Sequence, residues 1–282
     1  MNAALPFVPA SAIAADGIFI SKWDPRYRRI ERIAKRVSDI ASSYCHEQLH
    51  IAEETAIKNC NGEMDMTGEI EKWKDICKRI DGHWRTLLID SDIPNAFVTP
   101  TCPRKIFFCR GLIDKIDATD DELTMIICHE LSHVILGHLD ANLNAPLIIT
   151  IIELLFMSFV DPIGLSAALF DYLVEKSSNT VLASYSRVNE EDADNLALRL
   201  MSFMCIDLAC ASSLMAKLHE VDGKSKTGWT DSHPCGSDRL KNVEEQKSKL
   251  LEELKDHPRI KHCQGTKQSL YKTGLLWYFG IH

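Results

Sequence analysis

His129-Glu130-Leu131-Ser132-His133 sets two imidazoles four residues apart, with a carboxylate directly after the first. On a helix, positions i and i+4 share a face, so both rings can reach one metal while Glu130 stands beside it. Two imidazoles and a carboxylate suit zinc. Zinc lowers the pKa of a coordinated water to about 7 and polarises a carbonyl, and a neighbouring carboxylate can take the proton. The chemistry specified is metal-assisted amide hydrolysis. A catalytic zinc takes three protein ligands and keeps a fourth position for water. The third donor is sought in Ser186-Arg187-Val188-Asn189-Glu190-Glu191-Asp192-Ala193-Asp194. Glu190 and Asp194 are again i and i+4, so one can bind metal while the other holds a ligating histidine by its second ring nitrogen. An acidic first turn of an exposed helix gives the same pattern; the upstream motif is what favours the ligand reading. Glu191 and Asp192 are expected in solvent.

His46-Glu47-Gln48-Leu49-His50 matches the same H-E-x-x-H pattern. It falls at the end of a surface helix and is followed by Glu53 and Glu54, whereas the second copy is flanked by Ile126, Ile127, Val134, Ile135 and Leu136. A catalytic metal needs a dry, shaped surrounding. That selects His129 and His133.

The elements that must position these residues can be read around them. Thr119-Asp120-Asp121-Glu122 is a capping box launching an apolar helix from Leu123 to about Leu139, which carries the motif. Asp24-Pro25 reads as N-cap and first helical residue of an amphipathic helix with Ile30, Ile33, Ala34, Val37, Ile40, Ala41 and Tyr44 on one face. Its Arg28, Arg29, Arg32, Lys35 and Arg36 read as a solvated face. A second helix spans about Ile70 to Ile80. His83 to Ile89, Ile93 to Val98 and Lys105 to Cys109 read as strands of a small sheet or hairpin. From Asn142 onward the pattern is helical. The class is therefore α+β, mostly helical, with one small early sheet.

Composition narrows the function. The 282 residues carry 32 Lys and Arg against 40 Asp and Glu, a formal charge of −8, which builds no phosphate-tracking surface and excludes nucleic acid as the expected partner. The ten cysteines are scattered without a C-x-x-C pair. Cys128, Cys205 and Cys210 sit in apolar helical patterns where free thiols pack as small hydrophobes, so a reducing compartment is expected and a disulfide framework is not. Residues 1–21 carry Pro6, Pro9 and Asp16 with no basic residue before Lys22, unlike a secretory signal or an Arg-rich transit peptide.

Taken in order, the motifs resemble those of the zinc metallopeptidases that include the CAAX prenyl proteases, the heat-shock protease HtpX and the mitochondrial inner-membrane metalloendopeptidase OMA. They are Asn95-Ala96-Phe97 with Lys105-Ile106-Phe107-Phe108, the capped helix with His129 to His138, Ser186-Arg187, Glu190-x-x-Ala193-Asp194, and Ser232-His233-Pro234 with Arg239. The likeness covers roughly Trp23 to Leu251 and is strongest to the OMA type. A Gly-Gly turn is usual in the family where this chain has Thr101-Cys102-Pro103-Arg104.

The resemblance implies a gluzincin-type fold binding one zinc ion through His129, His133 and Glu190, with Asp194 supporting a ligand and Glu130 as general base. It implies that the strand at Asn95, Ala96 and Phe97 pairs with an extended substrate and that His233 lies near the developing oxyanion, although His233 also reads as a turn residue before proline. Gly137-His138 is taken as close helix packing. The implied domains are an N-terminal segment 1–22, a metallopeptidase domain 23–256 and a tail 257–282. Polypeptide substrates, membrane proteins among them, and a role in protein quality control at the mitochondrial inner membrane follow from the likeness. The apolar stretch 145–174, split by Glu153, reads as a membrane-embedded or monotopic hairpin, with a buried soluble hairpin as the alternative. A soluble or peripheral family member with other substrates, and a non-catalytic zinc-stabilised scaffold, are the other readings; Glu130 argues against the scaffold, because a structural site needs no base.

Overall fold

The computed structural model describes residues 19–58, 65–99, 102–138, 187–222 and 237–263. The first helix, α1 (Pro25–Lys58), starts where the Asp-Pro pair places it, with Asp24 Oδ1 accepting the Arg26 N–H at 2.8 Å. Ile30, Ile33, Ala34, Val37 and Ala41 are buried along one face. The opposite face is not wholly solvated. Arg29 and Arg32 both reach Asp120, at 2.6 and 2.9 Å, so part of this face meets the start of the motif helix. Helix α2 (Thr67–Ile80) packs on α1 and buries Ile76, Cys77 and Ile80.

Three short strands follow: β1 (Arg85–Ile89), β2 (Ala96–Val98) and β3 (Lys105–Cys109), in the spatial order β1-β3-β2. Strand β3 runs parallel to β1, from Arg85 opposite Lys105 to Ile89 opposite Cys109, and antiparallel to β2, with Phe97 opposite Phe107. Strands β1 and β2 begin later than the β-forming runs suggest. Gly82 turns the chain at φ 110° just before β1, and Pro94 has no N–H to give a ladder before β2. Ile20 N–H donates to Leu88 O at 2.8 Å, so the segment before α1 covers the outer edge of β1. The outer edge of β2 faces the motif helix.

Strand β3 leads directly into α3 (Arg110–Asp114). A side chain at Gly111 would have its Cβ 2.2 Å from Asp92 O, and the Gly111 N–H donates to Ser91 O at 2.8 Å. The loop before β2 thus rests on bare backbone.

Helix α4 (Asp120–Leu136) is the buried centre. Its capping box is present: Thr119 Oγ1 accepts the Glu122 N–H at 3.2 Å, and Glu122 accepts the Thr119 N–H at 2.8 Å. Leu123, Ile126, Ile127 and Leu131 are fully buried. The helix stops at Gly137, which is left-handed at φ 75° and has no described residue within 4 Å of a built Cβ. Beside the close-packing reading, Gly137 thus has a conformational role, a C-terminal stop that glycine makes without strain.

Beyond it lie α5, helical over 187–203, α6 (Ala209–Asp222) and α7 (Ser237–Glu253). The free-thiol reading of Cys205 is corrected. Helix α5 ends two residues before it, Cys205 takes a left-handed turn at φ 61°, and it is bonded to Cys263, 58 residues on. Cys128 is a buried free thiol and Cys210 a half-buried one, as expected; burial pushes both thiols up. Among the described residues no helix is long and apolar enough to cross a membrane. Segment 145–174 lies outside the described residues.

The two glycines give separable expectations. Gly137→Ala should cost about 1 kcal/mol, from backbone conformation alone, while Gly111→Ala should cost about 2–3 kcal/mol through backbone collision. Denaturant midpoints measured on both variants check the order; equal costs would contradict it.

Candidate metal centre

Helix α4 presents His129 and His133 on one face, and α5 brings Glu190 against them. His129 Nε2 lies 3.1 Å from His133 Nε2 and 3.3 Å from Glu190 Oε2, and His133 Nε2 lies 3.3 Å from Glu190 Oε1. All three residues are buried. A four-coordinate zinc with bonds of about 2.0–2.1 Å holds its ligand atoms about 3.3–3.4 Å apart. One oxygen of the Glu190 carboxylate lies at that spacing from each ring, and a single donor atom from each of the three residues falls within 4.8 Å of the others, close enough to surround one such ion.

The second ring nitrogens are engaged. Nδ1–H of His129 donates to Asp194 Oδ1 at 2.9 Å, which leaves the Nε2 lone pair for a metal. His133 Nδ1 lies 3.0 Å from His138 Nδ1. Arg239, on α7, reaches both carboxylates of α5. It donates to Asp194 Oδ2 at 2.6 Å and Oδ1 at 2.8 Å, and its Nη1 lies 3.2 Å from Glu190 Oε2.

Glu130 does not join the triangle. It points to the sheet, where Oε2 accepts the Val98 N–H at 3.1 Å. Just before β2, Asn95 O accepts the Cys109 N–H at 2.8 Å, so by antiparallel alternation the backbone groups of Asn95 and Phe97 face β3, while Ala96 and Val98 present theirs outward. Phe97 stacks on Phe107 with ring centroids 4.9 Å apart.

Electrostatics point the same way. Burial opposes charge on the Asp194 carboxyl, but Arg239 and His129 outweigh it and hold it well below the usual carboxylate range. Burial likewise opposes the His129 imidazolium, yet its bonds to Asp194 and Glu190 raise it to about 9. Burial pushes Glu130 up to about 7, against the pull of His129 and His133. His138 is lowered to about 4 by burial and by His133. With neutral imidazoles, as metal ligation requires, the Glu190 and Asp194 carboxylates stand against Arg239, and Glu130 adds further negative charge whenever it gives up its proton, so the described residues of this buried cluster carry a net negative excess. A divalent cation balances it. The donor set fits zinc in geometry, in ligand type and in charge.

The other H-E-x-x-H copy forms no such group among the described residues. The His46 and His50 side chains are 55% and 69% exposed, against 1% for His129. They pair instead with Asp81 at 3.0 Å and Glu54 at 3.7 Å. Glu191 and Asp192 are exposed, as expected. His233 lies outside the described residues. Sequence reasoning missed His138 as a partner of His133 and gave Arg239 no task. The i, i+5 spacing of His133 and His138 held no signal, because it is the left-handed turn at Gly137 that brings the second ring back to the first.

Comparison with known proteins decides the family. The model for peptidase family M48 matches residues 68–247, well over half of the chain. The chain belongs to peptidase family M48. The matched span of this M48 chain opens in α2 and closes in α7, so it contains the triangle, Glu130, Asp194 and Arg239. It is 27% identical over 58% of its length to the mitochondrial metalloendopeptidase OMA1 of Schizosaccharomyces pombe, covering 47% of that protein. To the mitochondrial metalloendopeptidase OMA1 of Homo sapiens it is 26% identical over 62% of its length, covering 34% of that protein. To the metalloprotease LoiP of Escherichia coli the identity is 27% over 49% of the chain, covering 53% of that protein. The M48 chain thus spans about half or less of the OMA1 relatives it matches, and the likeness to the OMA type expected from the motifs holds.

For this M48 chain, replacing His46 and His50 together by Ala should leave bound metal unchanged and stability within about 0.5–1 kcal/mol, since exposed ion pairs contribute little. Asp194→Asn should weaken metal binding roughly 10 to 100-fold, and Glu191→Ala should leave it unmoved. Elemental analysis with chelator competition reads all three; metal lost from the His46/His50 variant would place the site on the wrong helix.

Proposed function

We propose that this M48 chain is a zinc-dependent endopeptidase with His129, His133 and Glu190 as the ligands and Glu130 as the general base. The observation that carries the reading is the buried triangle of donor atoms with a separately held carboxylate beside it. Zinc, when bound there, polarises the scissile carbonyl and acidifies the attacking water.

The remaining steps belong to the chain's own residues. Glu130 accepts the proton of the attacking water and returns it to the leaving amine, as a base with a pKa near the working pH does best. The Val98 N–H holds its orientation. Asp194 keeps His129 in the tautomer that ligates through Nε2, and Arg239 keeps Asp194 charged and holds both Asp194 and Glu190 in place. Asn95, Ala96 and Phe97 form the substrate strand: the outward backbone groups of Ala96 pair with an extended polypeptide, which explains how sequence-tolerant affinity arises from main-chain hydrogen bonds. His233 serves as an electrophile toward the developing oxyanion.

The relatives named mitochondrial metalloendopeptidases support placing this activity in mitochondria, and the motif resemblance to the OMA type extends that to protein quality control at the inner membrane. The substrates are then membrane proteins, cut near their anchors by an enzyme associated with the bilayer through segment 145–174.

Glu130→Gln tests the core of the proposal. The amide cannot accept the proton, so digestion of an unfolded protein should fall by roughly 100 to 10,000-fold while zinc content and circular dichroism stay as in the wild type. Undiminished proteolysis by a contamination-free Glu130→Gln protein would overturn the hydrolase reading.

A further inference from the structure

Beside the metal centre runs a cleft of about 410 Å³. Trp84, Val98 and Val134 wall it, and it passes Gly137 at the end of α4. Two of these residues tie it to the chemistry. Val98 is the residue whose N–H holds Glu130, and Val134 directly follows His133. A polypeptide lying along β2 with its reacting carbonyl at Glu130 advances about 3.3 Å per residue. Because Val98 both holds Glu130 and lines the cleft, a side chain near the scissile bond borders it.

Its mouth is cationic. Lys78, Arg79, Arg104 and Lys105 stand there, with Asp75 the one carboxylate among the described lining residues, in a chain whose formal charge is −8. Asp75 is engaged by Arg79 Nε at 3.2 Å. Lys78 and Lys105 have no carboxylate partner among the described residues. Arg104 is held in place: its Nη1 donates to Asp81 O at 3.1 Å, and its side chain lies over Gly82. It also takes a left-handed backbone conformation, φ 56°, that non-glycine residues adopt at a cost. Glycine would make the same turn freely; what arginine adds is a guanidinium at the cleft mouth.

Apolar walls and a cationic mouth match a side chain with a short aliphatic stem and an anionic end. We propose that this cleft is a specificity pocket that selects Asp or Glu next to the scissile bond of the polypeptide substrate. The proposal rests on the peptidase reading above. Charge-assisted hydrogen bonds from Arg104 and the two lysines recognise the carboxylate. Long-range attraction cannot mimic the effect, because the net charge of the chain repels acidic peptides.

The test uses the full chain and peptides of about ten residues that differ at a single position, Glu, Gln or Lys, moved along the sequence. Cleavage by the wild type and binding to the Glu130→Gln protein by fluorescence anisotropy are read in parallel. At one position flanking the cut, Glu should exceed Gln by roughly five- to ten-fold in kcat/KM and in affinity, and Lys should fall below both. In Arg104→Glu the ratio should reverse toward Lys, and Lys78→Glu, an exposed position on α2, should shift it the same way should the first variant fold poorly. Cleavage without any acidic preference would overturn the pocket and leave the peptidase reading standing. Acidic preference in binding that Arg104→Glu or Lys78→Glu removes, without cleavage of any peptide, would keep the pocket and overturn the peptidase reading. Neither cleavage nor preference would overturn both.

Discussion

Charge balance in a dry space is the constraint on which this structure turns. Glu130, Glu190 and Asp194 are buried around His129 and His133, and among the described residues Arg239 is the guanidinium that meets them. An uncompensated ion in the interior costs several kcal/mol even after relaxation, so a net negative excess here draws in positive charge, as protons or as a cation. The raised proton affinities of His129 and Glu130 express that attraction from the protein's side. A dication between the two imidazoles and Glu190 answers the same demand, which is why the charge argument and the triangle of donor atoms lead to one conclusion.

The fold reads as the means of keeping that cluster assembled. Helix α4 is buried almost throughout, so both of its ends must be satisfied within the protein. At the start, the Glu122 carboxyl is opposed by burial but held low by Lys217 and Ser213 of α6, which bond it at 2.7 Å each. At the end, Gly137 closes the helix and turns His138 back toward His133. In between, β2 holds Glu130, α5 supplies Glu190 and Asp194, and α7 supplies Arg239. Four separate parts of the chain therefore converge on one helix. The small sheet matters less for its area than for its β2 edge, which meets Glu130 on one side and carries the proposed substrate strand.

Local rules made much of this legible in advance. The i, i+4 spacing put His129 with His133 and Glu190 with Asp194, the capping box placed the start of α4, and the flanking aliphatics distinguished the buried H-E-x-x-H copy from the exposed one. What escaped was set by tertiary contact. The parallel pairing of β1 with β3 depends on a crossover that no local pattern encodes. Cys205 and Cys263 are 58 residues apart, a pairing that no local pattern encodes. Arg239 stood in a recognisable motif, but its task is defined by two carboxylates on another helix. Gly137 was noticed but its left-handed turn was not, because a glycine needed for conformation and one needed for close packing look alike in sequence.

X-ray absorption at the zinc edge of the purified full chain bears on the central claim most directly. The account predicts about one zinc per chain in a shell of nitrogen and oxygen at about 2.0–2.1 Å, with multiple scattering from two imidazoles and no sulfur. A shell containing sulfur, or a single imidazole, would contradict it.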